Sequence, residues 1–163
     1  MKRIIVCSLA VLFTALTALS LSNWEYEKKV DDFDGDVTYE VTFSGHSDGG
    51  DFAVWISCKE DNPNDRDVNF IIADVIDSSS EDRIRIKFDS EKPEWFGVKY
   101  IDGAKADILY TSTKRDFKKL TGKMKAYLTM EAEINIFRQG RQILPIDLRG
   151  FTQEFNKLPS HCQ

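Results

Sequence analysis

The sequence predicts a mainly-β fold: a single-domain antiparallel sandwich or partly open barrel with one or two short helices. Three observations predict it. Short segments alternate apolar and polar residues with the period of two that marks a half-buried strand. Clusters of turn-forming residues separate these segments at intervals of roughly 8–12 residues. Apolar residues at helical spacing occur in only two short stretches.

The elements follow in order. Residues 37–43, Val-Thr-Tyr-Glu-Val-Thr-Phe, alternate cleanly. The Gly/Ser/Asp cluster at 45–50 predicts a turn, and the more continuously apolar 52–58 predicts the second arm of a hairpin. Asp61-Asn62-Pro63-Asn64-Asp65 is a loop. Residues 70–76 predict a third strand, turned by Ser78-Ser79-Ser80. In Arg83–Phe88, Ile84, Ile86 and Phe88 are set to face inward, with Arg83, Arg85 and Lys87 outward. Residues 95–100 and 106–110 predict two further short strands. Over 113–120, Phe117 and Leu120 stand at i, i+3 among Lys and Arg, with Asp116 near the start and Gly122 available as a stop. Residues 124–137 return to strand, and the turn Arg138-Gln139-Gly140-Arg141 leads into a strand at 143–148. A last short helix is predicted at 151–158, before Pro159.

The start of the chain has another character. Lys2 and Arg3 precede an apolar run, 4–16, broken only by Ser8 and Thr14, and Ala18-Leu19-Ser20 supplies small residues before a cut. This is the pattern of a secretory signal peptide, here residues 1–22, with a mature domain at 23–163. A retained membrane anchor needs a longer run, about 20 apolar residues. Removing Lys2 and Arg3 moves the formal charge from −5 to −7. A net-acidic domain lacks the footprint of a nucleic-acid binder and gains nothing from anionic lipid. The mature domain keeps two cysteines, Cys58 and Cys162, and an exported chain reaches an oxidising compartment where such a pair closes. The competing states are two free thiols, or a metal site to which only the adjoining His161 contributes.

No catalytic constellation stands out. His46 lies in a polar turn and His161 in the tail, and neither is paired at a known spacing with a nucleophile. The expected catalytic, metal-binding and cofactor-binding sets are therefore empty, and the protein is expected not to be an enzyme. Asp31-Asp32-Phe33-Asp34-Gly35-Asp36 looks like a calcium loop but lacks the Gly and Glu that an EF-hand needs at its sixth and twelfth positions. It is expected to be a solvated acidic turn. Among the tryptophans, Trp55 in an apolar strand is expected in the core, and Trp95, after Pro93 in a polar stretch, is the candidate exposed aromatic. Arg83, Arg85 and Lys87 form a basic stripe with two prospects: a sheet face balanced by cross-strand Asp or Glu, or a docking face for an anionic group.

Several of these features recur in one order. An early Trp is followed by an Asp-rich turn, an apolar strand ending in Cys58, and Arg85-x-Lys87-Phe88-Asp89. Then come Pro93 and Trp95, a Phe117-x-x-Leu120 helix, Leu148-Arg149-Gly150-Phe151 and Cys162. This order resembles the TagO/VasI family of type VI secretion-associated periplasmic proteins and related small prophage-borne secreted proteins, although Lys87 stands where the family typically carries Arg. The resemblance implies a non-enzymatic accessory domain and carries over no active-site residue. The expected function is that of a periplasmic or secreted accessory protein of the bacterial envelope, monomeric, acting on an envelope or secreted protein partner. The alternatives are an inhibitor of a cell-wall enzyme of the lysozyme-inhibitor type and an immunity protein against a secreted toxin. The candidate binding residues are Arg83, Arg85, Lys87, Asp89 and Trp95.

Overall fold

The alternation of apolar and polar residues runs along most of the described residues. The computed structural model describes residues 23–62, 66–72, 83–101 and 107–163. The expected signal peptide, the end of the predicted third strand and its serine turn lie outside the described residues. In chain order the elements are β1 (Trp24–Val30), β2 (Val37–Ser47), β3 (Gly50–Lys59), β4 (Arg66–Ile72), β5 (Arg83–Phe88), β6 (Glu94–Ile101) and β7 (Asp107–Thr111). Helix α1 (Lys114–Ala126), β8 (Thr129–Ile136), β9 (Gly140–Asp147), α2 (Phe151–Phe155) and a 3₁₀ turn (Ser160–Cys162) follow.

All nine strands join one antiparallel sheet in the order β1-β2-β3-β4-β7-β6-β5-β8-β9. Strand β6 is the corner. Its first half pairs with β5 and its second half with β7, so the sheet folds over into two facing halves. The sheet stays open, with β1 and β9 as its edges. At the opening the Trp24 indole N–H donates to the Asp147 carbonyl across 2.7 Å. The Trp24 ring also packs against Phe43 and Phe151, with centroids 5.3 and 4.8 Å away.

Alternation builds a single core between the halves. Val41, Val54, Ile56, Phe70, Ile84 and Leu109 are among its fully buried members. Helix α1 is capped by Thr113, whose Oγ1 accepts from the Asp116 N–H, and it buries Phe117, Leu120 and Met124. That stripe packs against β4, β6 and β7. The disulfide Cys58–Cys162 joins the end of β3 to the tail across 104 residues of sequence, with the Cα atoms 5.7 Å apart.

Four expectations change. The turn placed at 45–50 shrinks to Asp48-Gly49, because β2 runs on through Ser47. Gly45 stays in the strand because its missing side chain leaves room for aromatic rings: a Cβ there would stand 2.5 Å from Phe52 Cζ. Gly122 does not stop α1. It lacks the positive φ of a C-capping glycine, and Met124 extends the Phe117–Leu120 stripe by another turn. Strand β8 therefore begins at Thr129 rather than 124. Edge strand β1 was not expected, since four charged residues at 25 and 27–29 obscure the alternation started by Trp24 and Tyr26. Such charges suit an edge, where they oppose pairing with other chains.

Candidate functional site

All five predicted binding residues lie on the outer face of β5 and β6 or in the turn after β5, and their surroundings separate them. Ile84, Ile86 and Phe88 point into the core, and Arg83, Arg85 and Lys87 point out, as alternation requires. The register sets Arg85 opposite Glu133 and Lys87 opposite Glu131 on β8. Arg85 Nη1 lies 3.4 Å from Glu133 and Lys87 Nζ 3.2 Å from Glu131. Two steps of the basic stripe are therefore neutralised within the molecule. Asp89 is occupied too. It takes a positive φ of 43° in the turn after β5. Its carboxylate accepts from the Thr129 N–H at 2.7 Å and the Thr129 hydroxyl at 2.8 Å. These bonds hold its pKa below the ordinary aspartate value. Asp89 fastens β8 to the turn after β5.

Trp95 and Arg83 are placed differently. Trp95 is 58% exposed on β6. Trp95 and Arg83 line a cleft of about 440 Å³ with Gly97 and the head of α1, where Ser112, Thr113, Arg115 and Asp116 close it. Local chemistry shapes this cleft. Thr113 caps α1, and Asp116 accepts from the Thr113 hydroxyl at 2.5 Å and the Ser112 hydroxyl at 3.3 Å. Gly97 allows the approach: a Cβ there would stand 2.5 Å from Ser112 Oγ and 3.2 Å from Asp116 Oδ2. Trp55, expected in the core, instead sits half-buried on the outer face of β3 beside Asn69, because Val54 and Ile56 take the inward positions.

Arg115 also lines a second groove, of about 720 Å³, with Arg66, Lys114, Lys118 and Lys119. Every lining residue is cationic in a chain of net charge −5. The other side of α1 is balanced. Lys119 Nζ lies 2.7 Å and Lys123 Nζ 2.5 Å from Glu94, and Lys123 also reaches Glu91 at 3.2 Å. These bonds hold Glu94 below its ordinary pKa, chiefly through Lys119, and raise Lys123, chiefly through Glu94. Arg115 and Lys118 make no ion pair among the described residues.

Arg66, Arg115 and Lys118 were not singled out from sequence, although a signal was present. Lys114 and Arg115 occupy the first turn of a helix, where the dipole disfavours cations. Lys114/Lys118 and Arg115/Lys119 are like-charge i, i+4 pairs, each costing about 0.2–0.5 kcal/mol. Charges that break two electrostatic rules of a helix mark its head as a candidate site. Arg66 could not be found this way, because its place depends on the tail. Its Nη1 donates to main-chain oxygens of His161 and Gln163 at 2.8 Å each, and its guanidinium lies 5.3 Å from the centre of the Phe117 ring.

The remaining candidates sit apart. His46 contacts Asp51 at 2.8 Å on an exposed hairpin end. Asp31 Oδ1 accepts from the Phe33 and Asp34 N–H groups at 2.7 and 3.4 Å, which makes the acidic loop an Asx turn. Among the described residues one cluster, Cys58, His161 and Cys162, has metal-ligand composition, with its two sulfurs joined to each other.

No known family model matches the chain, no curated protein matches its sequence and no solved structure matches its fold.

Proposed function

We propose that this protein is an exported, non-enzymatic accessory protein of the bacterial envelope that works by binding another protein through the head of α1. One observation carries the reading. The exposed Trp95, Arg83 and Arg115 share a cleft, and that cleft adjoins a groove lined only by cations. Exposed Trp beside Arg is the chemistry of an interface anchor, because both are enriched where interfaces bind most tightly. A disulfide pinning the tail is the kind of staple that suits an oxidising compartment. A role beside a type VI secretion system or a prophage belongs to this same proposal. The envelope reading rests on the basic start and apolar run of residues 1–22.

Crosslinking in the envelope fraction of producing cells tests it. The wild type is expected to appear there beginning at Leu21 or Asn23 and to yield a defined crosslinked partner. Trp95→Ala and Arg115→Glu should each abolish that adduct without changing the melting temperature. Arg85→Gln, which loses only the Glu133 pair, should keep it. A partner retained by both Trp95→Ala and Arg115→Glu would rule out this surface. The partner's own activity separates a secretion component from a cell-wall enzyme or a toxin.

A further inference from the structure

The tail fixes Arg66, and Arg66 lines the cationic groove. Nη1 carries two protons, and main-chain oxygens of His161 and Gln163 accept from it at 2.8 Å each. Nε is enclosed and has no hydrogen-bond partner. Nη2 has no protein partner among the described residues and is not enclosed. The guanidinium also lies over the Phe117 ring of α1. The side chain is therefore held from one edge, while the far amino group stays available. The anchor for that hold is the disulfide, since Cys162 stands between the two residues whose main-chain oxygens are used.

We propose that the groove of Arg66, Arg115 and Lys118 takes the carboxylates of an extended acidic peptide segment, and that the disulfide-tethered tail sets Arg66 in place for it. This rests on the reading that the head of α1 is a docking surface. Charge complementarity argues for the acidic segment. All five lining residues are cationic, and Arg115 and Lys118, which make no protein ion pair among the described residues, stand at i, i+3 on α1. Residues so spaced lie about 5–6 Å apart. Alternate side chains of an extended peptide recur at about 6.6–6.8 Å, so successive carboxylates on one side of a strand can reach successive turns of the helix. The charges spread along the helix instead of converging on one point, which suits several single charges better than one compact dianion. Trp95, in the adjoining cleft, offers a seat for an apolar side chain on the same segment. Arg at position 66 adds a planar fork that Lys lacks.

The test uses the oxidised protein with fluorescein-labelled hexaglutamate, followed by anisotropy at low salt. Inorganic phosphate and polyphosphate serve as competitors. Wild type should bind the peptide, and Arg66→Gln should weaken it about tenfold or more, with Arg66→Lys nearly as weak. The Cys58→Ser/Cys162→Ser double variant should weaken it similarly while leaving Arg66, Arg115 and Lys118 in the chain. Arg115→Gln, on the exposed helix face, should weaken it with no change in melting temperature. Lys125→Gln, outside the groove, should bind as wild type does. Equal affinity in Arg66→Gln or in the bridgeless variant would overturn the proposal. So would an equal loss in Lys125→Gln, which would mean non-specific attraction, or displacement by phosphate or polyphosphate at lower concentration than by unlabelled peptide. The envelope crosslink fails on Trp95 and Arg115, and this titration fails on Arg66 and the bridge, so the two readings fall separately.

Discussion

At the scale of single residues, the lesson is that a charge's partner decides what it is for. Arg85 and Lys87 read like a docking stripe until β8 sets Glu133 and Glu131 across from them. Exposed pairs of this kind are worth about 0–1 kcal/mol, so they balance the sheet more than they stabilise it. Asp89 shows the same point with a measurable consequence. Its carboxylate accepts from Thr129 twice and from the Leu128 N–H, and these bonds lower its pKa from the ordinary 3.8. A group whose folded pKa is depressed adds stability above its unfolded pKa and loses it as pH falls through the folded one. The contribution is thus fully present at neutral pH and begins to be lost only as pH falls below about 4. Asp89→Asn tolerates the positive φ while removing the charge. It should lower the urea midpoint at pH 7, and its gap from wild type should narrow as pH falls below about 4. An unchanged midpoint at pH 7 would show that the Thr129 bonds do not hold the turn.

At the scale of elements, what the sequence displays depends on how local the cause is. Strand β5 was legible to the residue, because a period of two needs only its own side chains. The core side of β2 was legible for the same reason, while that of β3 was hidden, because 52–58 is apolar on both faces and only the fold sets Val54 and Ile56 inward and Trp55 outward. Helix α1 was legible at its start, where Thr113 and Asp116 cap it. Its end was hidden, because Gly122 resembles a stop and only the packing of Met124 against the core shows that the stripe continues. Strand β1 was hidden by the charges that protect it as an edge. In the candidate site, Arg83 and Trp95 were legible as outward residues, while the cleft they share needed the fold to bring in Arg115 from α1. Arg66 needed more, since a bond 104 residues long in sequence brings in the tail that holds it. The cap is the most local of these causes and can be tested alone. Thr113→Ala removes both the acceptor for the Asp116 N–H and the donor to its carboxylate. It should cost about 1 kcal/mol, in the usual range for a lost N-cap, and loosen the cleft that Asp116 lines. Thr113→Ser should recover most of the loss, as read from urea unfolding followed by circular dichroism.

At the scale of the whole molecule, the open sheet and the disulfide address the same difficulty. A sheet that curls without closing leaves two edges, and here they meet through side chains instead of strand pairing. The Trp24 indole bonds Asp147 of β9 and packs on Phe151, which belongs to the segment after the sheet. That segment continues through Phe155 and Leu158 into the core, and ends at Cys162. The C-terminal stretch is therefore a strap from one edge of the sheet to the far end of β3. Its attachment comes from a few buried apolar residues and one covalent bond. A loop of about 100 residues is worth roughly 4–5 kcal/mol in the chain-entropy model, and measured values commonly fall nearer 2–4. Cys58→Ser/Cys162→Ser should then lower stability by about 2–4 kcal/mol, a fall of several degrees or more in melting temperature. The far-ultraviolet β signal should survive at 25 °C in about the wild-type amount, since none of the nine strands depends on the bond for its hydrogen-bonded partner. Amide exchange should speed up at 160–163 and not in β2, β3 or β8. If the variant melts with the wild type, the tail is held by Phe155 and Leu158 alone. If it loses its sheet, the strap is part of the core and not a closure over it.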